Sequence, residues 1–202
     1  MDNATRSERS RNAVIQAALA IIARDGPARL TLDAIARESG ISKGGLMHQF
    51  RSKEAVLKAV LEQQIEHFEA MSRAYEAKFA DNHPAPHLAA QIATSREAAA
   101  GSHVAALAAY GALADQPDLL SASRKLDVDK VQAIKAEAED PDLALLRWTA
   151  ARGLAITAVL GLCPFSDAER ARLFDRLLDN RAWTRPATAA KPVAAGKAPK
   201  SR

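Results

Sequence analysis

The sequence predicts an all-α protein: a three-helix head followed by a larger helical body, about nine helices in all. Three observations carry this. Of the 202 residues, 46 are alanine and only 9 are aromatic. Alanine is the best helix former, whereas a β-sandwich would want Val, Thr and aromatic residues. The nine prolines, at 27, 84, 86, 117, 141, 164, 186, 192 and 199, leave long intervals without a breaker. Apolar residues in those intervals recur at helical spacing. The chain is long enough to bury a substantial core, in one domain or two small ones.

The first helix is expected over Arg11–Asp25. Ile15, Leu19 and Ile22 share one face, with Val14, Ala18 and Ile21 beside them, and Gly26-Pro27 ends it. Thr31 caps a short second helix that runs to Ser39. Asp33 stands in its first turn, where the helix dipole favours an anion, and Gly40 stops it. Ser42 caps a third helix from Lys43 to about Phe50, and Ser52 caps a fourth. Nothing breaks that fourth helix from Lys53 to Ala80, and Val56, Val60, Ile65, Phe68, Met71, Tyr75 and Phe79 keep its spacing. At about 1.5 Å per residue it spans roughly 40 Å. Asp81–Pro86 is a loop. Further helices are expected at about 87–100, 102–115, 118–138, 142–162 and 167–181. Residues 182–202 carry three prolines and scattered Lys and Arg, and are expected to form a disordered basic tail.

Charge is unevenly spread. Residues 1–60 carry 10 basic and 6 acidic side chains, residues 61–180 carry 12 and 18, and residues 181–202 carry 6 and none. Basic ends on an acidic body point to a polyanion at the ends. A single cysteine, Cys163, excludes a disulfide within the chain and a cysteine zinc site. Met1–Arg11 has no apolar stretch, so no secretory signal is expected. The longest uncharged run, Ala98–Ala114, is mostly alanine and too short for a membrane span. A cytoplasmic protein without membrane association is the expectation.

The second and third helices, joined by Gly40-Ile41-Ser42, follow the helix-turn-helix plan. Leu46 and Phe50, four apart, face the same core as Ile35 and Ala36. That leaves Lys43, Gly44, Gly45, Met47, His48 and Gln49 facing outward. A DNA major groove about 12 Å wide admits such a helix. The free N–H groups at its N-terminus suit phosphate, and glycines there permit close approach.

The stretch Thr31–Ala55 resembles the DNA-binding segment of the TetR/AcrR family of bacterial transcriptional regulators. The resemblance covers about residues 8–68. The Gly-x-Ser-x-Gly turn at Gly40–Gly44 and the Phe-x-Ser-Lys-Glu run at Phe50–Glu54 both fall in register. It implies a DNA-binding head over residues 1–52, with its motif at 31–50, and a ligand-binding and dimerisation body over 53–181. It further implies a homodimeric repressor, released from a near-palindromic double-stranded operator by a small-molecule effector. Thr31, Ser42, Lys43 and Gly44 fall where the family meets phosphates and base edges. Gly45, His48 and Gln49 occupy base-reading positions, and Lys53 is placed as a phosphate clamp. The chain departs from the frequent Leu-Tyr-x-His-Phe pattern by carrying Met47 and Gln49.

The same resemblance pairs the last two body helices with their mates in a four-helix bundle. Gly153, Thr157 and Gly161 are small residues four apart there, and Leu160, Leu173 and Leu177 offer apolar area. Phe68, Met71, Tyr75, Tyr110 and Trp148 are candidates to line an effector cavity, although core packing is the simpler account of each. Arg152, on the apolar helix at about 142–162, is expected to pair with an acid, or to reach a ligand or a helix end.

Other chemistries find little support. His83 and His87 stand four apart, but the prolines between them break a helix and no third ligand is evident, so neither metal nor cofactor is expected. Cys163 reads as a buried thiol at a helix end. No zinc-protease, Walker or dinucleotide motif is present, and Gly40–Gly44 matches a nucleophile elbow only as letters, lying between helices. An enzyme is therefore not expected. The rival readings are a ligand-independent accessory or architectural DNA binder, and a basic tail that binds membrane or RNA.

Overall fold

The computed structural model describes residues 3–101 and 117–183. Among them there are eight α-helices and no strand. They are α1 (Asn3–Asp25), α2 (Leu32–Ser39), α3 (Lys43–Gln49), α4 (Lys53–Phe79), α5 (Pro86–Ala100), α6 (Pro117–Glu137), α7 (Pro141–Val159) and α8 (Asp167–Leu178). The expected helix at 102–115, with Tyr110, and nearly all of the expected tail lie outside the described residues. No described helix is long and apolar enough to cross a membrane.

Two apolar clusters organise the chain. The head cluster joins Val14, Ala18, Ile21 and Ile22 of α1 to Leu30, Ile35, Leu46, Phe50, Val56 and Val60. The body cluster joins Leu88, Ile92 and Ala99 of α5 to Ile134 of α6, to Ala144, Ala151, Ala155 and Ala158 of α7, and to Phe174 and Leu177 of α8. Helix α4 serves both ends: Val56, Ala59 and Val60 sit in the head, and further along it packs on α5. Helix α5 is the centre of the body. Its residues Leu88 to Ala93 are buried without a break, because α4, α7, α8 and α6 all pack around it. Alanines on both α5 and α7 let the two backbones approach closely, which is where much of the unusual alanine content is used.

Polar side chains fasten this body where helices end or enter the interior. Ala85, at the N-cap of α5, offers no side-chain acceptor. Glu137, the last residue of α6, supplies one instead, accepting from the N–H groups of His87 and Leu88 at 3.0 and 2.8 Å. Buried Gln91 donates to Ser72 of α4 at 2.6 Å. Buried Arg147 of α7 caps the C-terminus of α8. Its Nε and Nη2 donate to the Leu177 carbonyl at 3.1 and 2.6 Å, and Nη1 donates to Asn180 at 2.8 Å. Burial pushes the guanidinium below its ordinary pKa, and Asp179 works in the other direction.

Several boundaries differ from expectation. Helix α1 begins at Asn3, eight residues before Arg11, because nothing in the polar run breaks a helix already nucleated by its apolar half. Helix α7 ends at Val159, not near 162. Gly161 has φ +67°, Leu162 N–H bonds to the Thr157 carbonyl at 2.8 Å, and Gly161 N–H bonds to that of Ala158 at 3.0 Å. This is a Schellman stop. Helix α8 ends at Leu178, and Asp179 caps a short 3-10 turn, Asn180–Ala182.

Replacing Arg147 with Met would keep the apolar stem and orphan the Leu177 carbonyl. We expect a loss of about 1.5–3 kcal/mol in urea unfolding. A loss below the error of the measurement would show that the cap adds nothing to its own desolvation cost.

Candidate nucleic-acid interface

Helix α3 has seven residues, and both of its ends are built by side chains. Gly40, at φ +69°, turns the chain out of α2 in the left-handed conformation that a β-carbon disfavours. Ser42 Oγ then accepts from Gly45 N–H at 3.2 Å, as Thr31 Oγ1 accepts from Ala34 N–H at 3.1 Å for α2. Leu46 and Phe50 are sunk in the head core. Lys43, Gly44, Met47 and His48 are consequently left exposed. The two glycines differ. A β-carbon on Gly45 would stand 3.3 Å from the Ile41 and Ser42 side chains, so this residue also lets the turn close. A β-carbon on Gly44 would meet nothing within 4 Å, so its bare backbone faces open space.

Lys43 Nζ lies 2.8 Å from Asp33 Oδ1, across from the first turn of α2. This contact holds the Asp33 carboxyl below its usual range, first through the hydrogen bond and then through the charge. Lys53 is exposed at the first residue of α4, where Ser52 Oγ accepts from Ala55 N–H at 3.2 Å. Gln49 does not face outward with its neighbours. Its Nε2 donates to the Ser7 carbonyl of α1 at 3.3 Å, and its Oε1 is buried without a partner. Two further contacts that the sequence did not single out fix the head. Arg24 of α1 makes a two-pronged bond to Glu38 of α2 at 3.2 and 3.0 Å, which holds the Glu38 carboxyl low. The Arg11 guanidinium stands 5.2 Å above the Phe50 ring.

The body carries a shallow, open groove of about 240 Å³ lined by Met71, Ala74, Tyr75, Lys78 and Glu97. Tyr75 donates to Glu97 at 2.9 Å, and partial burial, then this bond, pushes the phenol pKa up. Of the effector candidates among the described residues, Met71 and Tyr75 line this groove, whereas Phe68, Trp148 and Arg152 do not. Phe68 lies on α4 against the edge of His67. Trp148 and Arg152 lie together on α7: the guanidinium is 4.8 Å above the indole and 2.6 Å from Asp127 of α6, so the odd cation on the apolar helix meets an acid. Ala74, Lys78 and Glu97 were not anticipated. The first two follow Met71 and Tyr75 by one helical turn. Glu97 depends on how α5 lies against α4, which has no signature in sequence.

The residues assigned to a subunit interface separate as well. Gly153 is exposed, with open space where a β-carbon would stand, and Thr157 Oγ1 bonds back to the Gly153 carbonyl at 2.7 Å. Leu160 is half-buried, and Gly161 ends the helix instead of continuing a stripe. Leu173 is 38 % exposed, but Leu177 is only 6 % exposed and packs inside its own body cluster, so it has no area to offer a mate. Leu146, Leu162 and Phe165 are large apolar residues exposed nearby in sequence, on α7 and the α7–α8 link. His83 and His87 are used locally: His83 Nδ1 accepts from Ala85 N–H at 3.1 Å, and His87 Nδ1 lies 3.5 Å from Glu76.

Known proteins match both halves of the chain. Residues 14–60 match the family model of bacterial regulatory proteins of the TetR family, and residues 85–180 match a tetracyclin repressor-like C-terminal domain. The HTH-type transcriptional regulator SrpR of Pseudomonas putida is 40% identical over 58 residues, a stretch covering 29% of this chain and 27% of that one. A TetR-family regulator from Bordetella parapertussis 12822 shares the fold at 23% identity and a TM-score of 0.59, over 88% of this chain and 98% of that one. A TetR family member from Streptomyces coelicolor A3 does so at 19% identity and 0.62, over 83% and 97%. The multidrug binding protein EbrR complexed with malachite green does so at 20% identity and 0.59, over 83% and 96%. With a helix-turn-helix head and a repressor-like body both matched in one chain, this protein belongs to the TetR family of DNA-binding transcriptional regulators.

Proposed function

We propose that the protein is a homodimeric repressor that a small-molecule effector releases from a near-palindromic operator. The observation that carries this reading is the span of α4. It begins at Lys53, beside the exposed face of α3, and carries Met71, Ala74, Tyr75 and Lys78 of the body groove. A ligand in the body therefore acts on the same rigid element that sets the head. Thr31, Ser42, Lys43, Gly44, Gly45, His48 and Lys53 are the residues assigned to DNA. Lys43 exchanges Asp33 for a phosphate, and the open backbone at Gly44 approaches the duplex. Helices α7 and α8 pair with their mates through Leu146, Leu162, Phe165 and Leu173, with Gly153 and Thr157 at the close approach. The effector must bind the state whose heads mismatch the half-site spacing better than the DNA-competent one, or nothing shifts. That EbrR is found with malachite green supports an effector site in the body.

The second reading is an accessory DNA binder that uses the same head and needs no ligand. Fluorescence anisotropy on DNA from upstream of the gene, with excess random competitor and at two salt concentrations, tests the first. Tight binding that survives competitor and is reversed by a compound from an effector screen is expected. Binding that no compound reverses would favour the second reading, and binding abolished by competitor would count against sequence specificity.

Lys53→Ala should weaken binding to every duplex and lower the salt slope by about one per subunit. A slope unchanged from the parent would remove Lys53 from the phosphate contacts. Asp33→Asn should tighten binding to operator and random DNA alike, by about two- to fivefold, since it frees Lys43 and removes a negative charge. Weaker binding with the fold intact would mean that the ion pair orients Lys43 for DNA.

A further inference from the structure

Three features of the head are unexplained by the recognition surface itself. The first is the posture of Gln49. It is the last residue of α3, yet its amide reaches back to the carbonyl of Ser7, 42 residues earlier. Its oxygen is buried without a hydrogen-bond partner. An orphaned buried acceptor costs free energy, so this posture persists only because packing and the Ser7 bond hold it. The second is the start of α1. Among the α1 residues from Ser7 onward the first buried one is Val14, and Ser7, Glu8 and Arg9 are exposed, so this part of the helix runs ahead of the head core. A polar, exposed helix end frays unless something docks it. The third is that the contact is doubled. Arg11, one turn after Ser7, stands over Phe50, the residue after Gln49.

Together these join the first turns of α1 to the C-terminal end of α3 by two contacts. The sequence of the joined segment includes Arg6 and Arg9 against the single acid Glu8. A segment held one side chain away from a helix seated in the major groove lies beside the phosphates.

We infer that Gln49 is a positioning residue rather than a base reader: it docks the first turns of α1 against α3 and so adds them to the phosphate-contacting surface. The inference rests on the DNA-binding reading above and revises one residue of it. The amide donates, the Ser7 carbonyl accepts, and no base is needed to satisfy the arrangement. Gln49 then contributes affinity on any sequence, whereas His48 and the open Gly44 backbone remain available for discrimination.

The test has one arm without DNA and two with it. Hydrogen exchange on the free full-length protein reads the docking contact. The amides of residues 7–11 should exchange about two- to tenfold faster in Gln49→Ala and in the volume-preserving Gln49→Leu. Binding to a random-sequence 30-base-pair duplex reads the consequence. Affinity should fall by a similar factor, and the salt slope should fall by about one to two per subunit, which loss of packing alone would not produce. Arg6→Ala combined with Arg9→Ala should reproduce the DNA effects while exchange at 7–11 stays slow, and adding Gln49→Ala to that pair should lower affinity little further. Unchanged exchange at 7–11 would overturn the inference. So would intact random-duplex affinity combined with lost preference for a selected operator, or a full effect of Gln49→Ala on binding in the Arg6→Ala, Arg9→Ala background. If the parent protein bound no duplex at all, the regulatory reading and the DNA half of this inference would fall together, while the exchange arm would still report on the contact.

Discussion

The recognition helix is seven residues long, and a helix of that length does not hold together in water. It exists because Leu46 and Phe50, one turn apart, are sunk among Val14, Ile35, Val56 and Val60. Burying two such side chains stabilises by about 1.5–3 kcal/mol each, enough to offset the nucleation cost of the short helix. Everything exposed on α3 is exposed because these two residues are not. The same burial fixes α3 within the head, so its exposed surface is a by-product of the head core. Caps at Thr31, Ser42 and Ser52 set where each helix starts, and the Arg24–Glu38 pair ties α1 to α2.

The body solves a different problem. It has few large side chains and many alanines, so it gains contact by bringing backbones together instead of interdigitating bulky groups. A helix whose first half is buried, as α5 is over Leu88–Ala93, then has an N-terminus that water cannot reach freely. Glu137 satisfies its first N–H groups from another helix, and Gln91 meets Ser72 in the interior. Arg147 does the equivalent for the carbonyls at the end of α8, where a cation also suits the helix dipole. These bonds specify which helix end lies next to which, a choice that alanine-on-alanine packing leaves open. Helix α4 joins the two regimes. Its first turns belong to the tightly packed head and its later turns to the groove wall, in one continuous helix from Lys53 to Phe79.

What the amino-acid sequence determined by itself was local. Helix caps, glycine stops, the prolines and the helical period act over a few residues, and so the helix-turn-helix and the span of α4 were legible down to their capping residues. The family was legible for the same reason, since its motif is one contiguous run. The pairing of Arg152 with an acid was anticipated as one option because a cation on an apolar face needs a partner. Only the tertiary structure decided what depends on helices meeting. Leu177 looks like Leu173 in sequence and lies one turn from it, yet one sits in the body core with Phe174 and the other at its rim, because the neighbouring helices cover α8 unevenly along its length. Gly161 matched a small-residue stripe and is instead a helix stop. Gln49 shares its stretch with outward-facing residues but turns toward Ser7, since a long amide at a helix end reaches whichever neighbour the packing brings near. Glu97 came beside Tyr75 for the same reason. Period and capping are written in residue order, whereas the partner of a long polar side chain is set by interhelical geometry, to which residues far apart in the chain contribute together.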